Sequence, residues 1–288
     1  MYMSRLPSLL LLLLCLSLST GCWQDYHEPK IDAIEMNAMP SAQWEADLKE
    51  LLTTHVNDKG LVDYATLATQ KEKVEGIIAA LNFVRIDASW TDEQKLAFWI
   101  NAYNIIMFWN ILSEYPEVHT EKNVIAYQNA FFDTNKFAVA GVIVSLNDIE
   151  HKMLRNDNPD AEFVTNHLVV KTLRPEIHVA VSCAALSCPP LLNDIWEAEK
   201  VDETLKSQMR KVLNDEAFVS LGSDGKPSVT SLVDWYNVDF KTETQTVGAY
   251  LASWLDDSKQ ELKTALIAAG NDKSKLSFKN YDWTLNHQ

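Results

Sequence analysis

Few side chains in this sequence have the types and spacing for chemistry. Cys183 and Cys188 stand five positions apart in the run Ile177-His-Val-Ala-Val-Ser-Cys-Ala-Ala-Leu-Ser-Cys-Pro-Pro-Leu191. A nucleophilic thiol needs a depressed pKa, supplied by a helix N-terminus or a neighbouring imidazolium. Cys188 directly precedes Pro189 and Pro190, which suit the first turn of a helix, where the macrodipole favours a thiolate. Ile177 to Val181 reads as a buried strand, and an odd separation along a strand puts His178 and Cys183 on opposite faces. That leaves His178 or His151 as the base for Cys188. The same two cysteines also read as a disulfide or as buried packing thiols. Closing so small a loop contributes only about 2 kcal/mol, enough to shape a turn but not to hold a fold.

Asn101 and Asn104 lie three apart, hence on one helix face. Buried amides must find partners, so each either clamps a neighbouring backbone loop or serves a site as oxyanion donor or orienting group. Tyr103 between them reads as core. Glu150 and His151 are consecutive, about 100° apart on a helix, so only one of them is expected to face a given site. HExxH, CxxC and paired-carboxylate spacings are missing, as are a G-x-S-x-G elbow and a phosphate-cradling glycine loop; no metal and no cofactor is expected. Asp234-Trp235-Tyr236 and Asp282-Trp283 read as aromatic packing with acidic caps.

The elements that must position these groups are mostly helical. Thr91 with Gln94 forms a capping box for a helix carrying Leu96, Trp99, Ile100, Tyr103, Ile106, Met107 and Ile111, stopped by Tyr115-Pro116. Its opposite face is apolar too, which places it at the centre of a domain. Three asparagines interrupt the apolar stretch, which argues against a membrane span. Helices are also expected after Ser41, over 66–82, after Ser145, and over 203–213, 246–255 and 259–269. Phe137 to Val144 predicts two short strands meeting at Ala140-Gly141, and Ser223-Asp-Gly-Lys226 a hairpin turn. The fold class is α+β: a helix-rich single domain around a central buried helix, with a small, mostly antiparallel sheet.

Composition narrows the partners. The 288 residues are 47% hydrophobic and carry a net charge of −15, and no basic run relieves it, so nucleic-acid binding is excluded. Arg5 is the one charged residue among the first 21, so a processed chain is more acidic still. Ser8 to Leu18 is a leucine-rich run too short for a spanning helix, and it fits a signal-peptide core. Leu18-Ser-Thr-Gly-Cys22 resembles a bacterial lipobox, with Ser19 where Leu is usual. That resemblance implies residues 1–21 as signal and lipidation of Cys22; the polar stretch with little periodicity that follows reads as a tether over 22–40, ahead of a single domain over 41–288. With Trp23-Gln24 following Cys22, the lipobox resemblance implies sorting to the outer membrane of a Gram-negative cell, facing the periplasm. Ordinary secretory cleavage near Gly21 is the alternative, and either route exports the protein.

Four motifs in order, Ala97-Phe-Trp-Ile-Asn-Ala-Tyr-Asn104, Ser145-Leu-Asn-Asp-Ile-Glu-His151, the cysteine run above and Tyr281-Asp-Trp-Thr-Leu-Asn286, resemble the domain of unknown function 547 over about residues 45–286. The resemblance implies one family domain without a settled activity. Similarity of that family to papain-like or transglutaminase-like folds implies a thiol enzyme, a cysteine-dependent hydrolase or acyl transferase acting on a peptide or envelope polymer. Cys188 would be the nucleophile, His178 or His151 the base, and Asn101 the orienting or oxyanion group. The rival expectation is a non-catalytic periplasmic binding or structural module.

Overall fold

The computed structural model describes residues 32–288. The signal segment, Cys22 and the first part of the tether lie outside the described residues. Within that tether, Ile34 and Met36 pack on the core, and Ile34 N–H donates to the Lys136 carbonyl at 2.7 Å.

The most apolar segment forms the axis. Thr91 Oγ1 accepts from the Gln94 N–H, and the Gln94 side chain accepts from the Thr91 N–H, so the expected capping box starts the helix Asp92–Ser113 (α4). Among the described residues, three α-helices precede it: α1 (Trp44–His55), the single turn α2 (Tyr64–Leu67) and α3 (Lys71–Leu81). A helix apolar on all sides must be covered on all sides. Trp99, Tyr103 and Phe108 are accordingly 0–2% exposed, each contributing about 2–3 kcal/mol through burial. By length and composition α4 could cross a membrane, yet 89% of its most apolar window is buried inside the domain.

After α4 come α5 (Glu117–Thr120) and the hairpin of β1 (Phe137–Val139) and β2 (Val142–Val144), paired antiparallel from Phe137 opposite Val144. Ala140 and Gly141 both adopt positive φ, the backbone that a tight two-residue hairpin requires. A π-helical segment, Asp148–Leu154, and α6 (Ala161–Thr165) lead to the cysteine run. The last third holds α7 (Val201–Asn214), α8 (Ser231–Trp235), α9 (Val247–Ser253) and α10 (Gln260–Ala269). Strands β3 (Val219–Leu221) and β4 (Pro227–Val229) pair antiparallel, and β5 (Ser277–Phe278) joins β4 in parallel. The architecture is therefore helix-rich α+β with two small sheets, where the sequence suggested one. The side chains bury into two apolar clusters, the larger around α4 and the smaller around Met209, Phe240, Leu251 and Leu266.

Three local expectations are corrected. Ile177 to Val181 is no strand; Pro175–Val179 forms a 3₁₀ turn. The reason is Asn104, whose Nδ2 donates to the Ala180 carbonyl at 3.0 Å while its Oδ1 accepts the Ser182 N–H at 3.0 Å. One amide thus supplies the backbone partners that a ladder would otherwise give. Nor does a helix begin at Pro189-Pro190. The turn at Gly60 lies against that segment: a Cβ there would sit 2.5 Å from the Leu191 nitrogen and 2.6 Å from the Pro190 Cα. Backbone-to-backbone packing holds Pro190 and Leu191 in place, and the macrodipole argument for Cys188 fails with the missing helix. Finally, the helix expected over 66–82 breaks into α2, a 3₁₀ turn and α3.

Asn104→Ala leaves a buried carbonyl and a buried N–H without partners. We expect a loss of about 2–4 kcal/mol in urea unfolding, whereas a loss below about 0.5 kcal/mol would show that water replaces the amide.

Candidate active site

The sulfur loop is shaped from two sides. Asn104 holds its entry, and the C-terminal segment runs along its far side. Leu186 N–H donates to the Thr284 carbonyl, Ser187 N–H to the Asp282 carbonyl, and Asn286 N–H to the Ala184 carbonyl, at 2.8, 3.2 and 2.9 Å. Ala184 adopts φ of 60°, the left-handed bend that folds Cys188 back towards Cys183. The two sulfurs stand at bonding distance, 2.07 Å, so the disulfide alternative describes this state. The Cys183 N–H donates to Cys188 Sγ at 3.1 Å. Tyr281, brought in by the C-terminal segment, places its hydroxyl 3.0 Å from one sulfur and 3.1 Å from the other.

Both cysteines line a cavity of about 340 Å³, together with His178, His151, Glu150 and Tyr103. His178, 3% exposed, points Nε2 at Asp239 Oδ2 across 2.8 Å. Its ring stacks on Tyr236 at 3.9 Å between centroids. Arg155 completes the group, with Nε 2.6 Å from Asp239 Oδ2 and Nη2 3.0 Å from Oδ1. Burial alone would push the Asp239 carboxyl up, but the hydrogen bonds from His178 and Arg155 and the guanidinium charge outweigh it and hold it at about 2. A third Arg155 contact, Nη1 to His151 Nδ1 at 2.6 Å, makes that imidazole nitrogen the acceptor, because a guanidinium only donates.

Glu150 and His151 both line the cavity, against the expectation that only one could. Ser145 and Asp148 cap their segment reciprocally, where the sequence placed a helix start, and Lys136 lies 2.8 Å from Asp148. Glu150 is 6% exposed and accepts the Tyr103 hydroxyl at 3.2 Å. Burial first, then the Glu150 carboxylate, push the Tyr103 and Tyr236 hydroxyls well above the ordinary phenol value, so both stay protonated donors.

His178 and Cys183 also share the cavity wall, because the 3₁₀ turn abolishes the strand alternation that separated them. Asn101 stands elsewhere. Its Nδ2 donates to the Trp196 carbonyl at 2.8 Å and its Oδ1 accepts the Trp196 N–H at 3.0 Å, so it clamps a loop beside a different groove. Asp239, Tyr236, Trp235, Tyr281 and Trp283 are the site residues that sequence reasoning missed. Tyr281 and Trp283 carried a usable signal, since they belong to a motif. Asp239 carried none, as its histidine is 61 positions away. Among the described residues no cluster of metal-ligating side chains forms.

Residues 88–213 match the family model for a protein of unknown function, DUF547. The DUF547 stretch contains three of the four motifs, and with them Asn104, Glu150, His151, His178 and both cysteines. Tyr281-Asp-Trp-Thr-Leu-Asn286 and Asp239 fall outside it, so the cavity takes one wall from the DUF547 stretch and another from the chain beyond. No curated protein and no solved structure matches the chain.

The folded Asp239 carboxyl lies below its ordinary value of 3.8. Its contribution to stability is full above about pH 4 and is lost as pH falls from there towards 2, an amount of roughly 2 kcal/mol. In urea unfolding, the gap between the wild-type protein and Asp239→Asn should be widest near neutral pH and shrink over that window. A gap that is flat from pH 6 to about pH 2 would show that Asp239 is not held ionised.

Proposed function

We propose that this cavity is the active site of a cysteine-dependent hydrolase or acyl transferase whose working form is the dithiol. One observation carries the reading: the cysteine pair and an aspartate-held histidine line the same cavity. A thiol reductant delivers two electrons to the disulfide and frees Cys188. His178, with Nε2 committed to Asp239, has Nδ1 left to take the Cys188 proton. The thiolate is favoured by the Cys183 N–H and the Tyr281 hydroxyl. It attacks a carbonyl carbon, the imidazolium protonates the departing group, and water or an acceptor nucleophile then releases the acyl group. His151, tied to Arg155, supports the wall in this reading, and Asn101 supports the fold.

The bridge itself favours a second reading, a non-catalytic binding module in which the cysteines only fix the loop. The two separate cleanly. Given an aryl ester after reduction, the hydrolase reading expects an acyl adduct on Cys188 by mass spectrometry, absent from the bridged protein and at least tenfold slower to form in His178→Ala. Equal acylation of Cys183 and Cys188, indifferent to His178, supports the module.

We also propose that the protein is exported and anchored by lipid at Cys22 to the outer membrane, facing the periplasm. The apolar leader and the lipobox-like ending support this. Cells fed radiolabelled palmitate should label the wild-type chain and not Cys22→Ser. A labelled Cys22→Ser chain, or an unlabelled wild-type chain, contradicts it.

A further inference from the structure

Buried carboxylates normally meet a cation, since an unpaired ion in an apolar setting is costly. Of the three buried acids among the described residues, two obey: Asp239 pairs with Arg155 at 2.6 Å and Glu176 with Arg174 at 3.5 Å. Glu150 is the third. It is 94% buried by its 6% exposure, and no lysine, arginine or histidine lies within ion-pair distance of it among the described residues. The groups that hydrogen-bond it are neutral hydroxyls, Tyr103 at 3.2 Å and the adjacent Tyr236. The nearby guanidinium of Arg155 is engaged by Asp239, His151 and Asp157.

The lining around Glu150 fits a cation. Asp133 is a second acid on the wall, and no lysine or arginine lines the cavity among the described residues. Trp235, Tyr281 and Trp283 form a contiguous aromatic face, with centroids 4.7, 4.6 and 5.9 Å apart, and Trp235 is 48% exposed. Ring faces attract cations, and they do so most when water is excluded. The net charge of −15 adds a long-range pull on positively charged ligands.

We infer that the cavity binds a substrate through a cationic group, an ammonium of the kind on a lysine side chain, seated between Glu150 and the Trp235–Tyr281–Trp283 face. The inference rests on the active-site reading only in placing the substrate in this cavity. Binding is therefore measured on the full-length bridged protein, where Cys188 cannot react and a failure of catalysis has no bearing. The probes are N-acetyl-lysine methylamide and its Nε-acetylated, uncharged counterpart, titrated by calorimetry. The ammonium compound should bind at least tenfold more tightly, and Glu150→Gln should level the two. Equal affinities, absence of saturable binding by the ammonium compound, or a preference surviving in Glu150→Gln overturns the inference. Should Glu150→Gln fail to fold, the comparison of the two compounds on the wild-type protein decides alone.

Discussion

The Asp239 carboxylate is the constraint around which the cavity is organised. It sits where the two apolar clusters meet: His178 follows Ile177 of the larger cluster, and Phe240 beside Asp239 belongs to the smaller one. A carboxylate in that position needs charged and hydrogen-bonding partners, because the low dielectric that strengthens each contact also makes an unmet ion costly. Arg155 meets it with a two-pronged contact, and His178 supplies the remaining hydrogen bond. Three consequences follow. The imidazole has one orientation and one free nitrogen, the π-helical segment that ends just before Arg155 is pinned beside it, and the guanidinium is no longer available to Glu150.

A second constraint is the return of the chain end. The C-terminal residues pair with the cysteine loop by backbone hydrogen bonds, and Tyr64 Oη donates to Asn286 Oδ1 at 2.9 Å in the interior. The hydroxyl that touches both sulfurs thus depends on a segment some 93–98 positions away. The DUF547 stretch ends well before that segment, so the stretch alone lacks Tyr281, Trp283 and Asp239. The site draws on residues from Tyr103 to Trp283.

Much of the fold was legible because it follows from local rules. The capping box at Thr91 and the positive-φ pair at Ala140-Gly141 each express short-range backbone chemistry. The buried helix was legible from composition alone, since an all-apolar surface has one destination. The errors fell where a distant group overrode local propensity. Ile177 to Val181 has β-branched residues enough for a strand, but Asn104 satisfies its backbone from another element. Pro189-Pro190 looks like a helix start, but the Gly60 turn occupies the space beside it. For the site, the cysteines, His178, His151 and Glu150 were visible by residue type. Their convergence was hidden by assuming regular periodicity through irregular backbone, and Asp239 was hidden because long-range ion pairs leave no spacing in a sequence.

The proposed chemistry requires the cysteine pair and the Asp239-held imidazole to act on one another. The most direct measurement is the pH dependence of iodoacetamide alkylation of Cys188 in reduced protein, followed by mass spectrometry in the wild type and in His178→Ala. The midpoint should lie below that of an unperturbed thiol, about 8.5, and move up towards it in the variant. An ordinary midpoint that His178→Ala leaves unchanged would contradict the proposed chemistry.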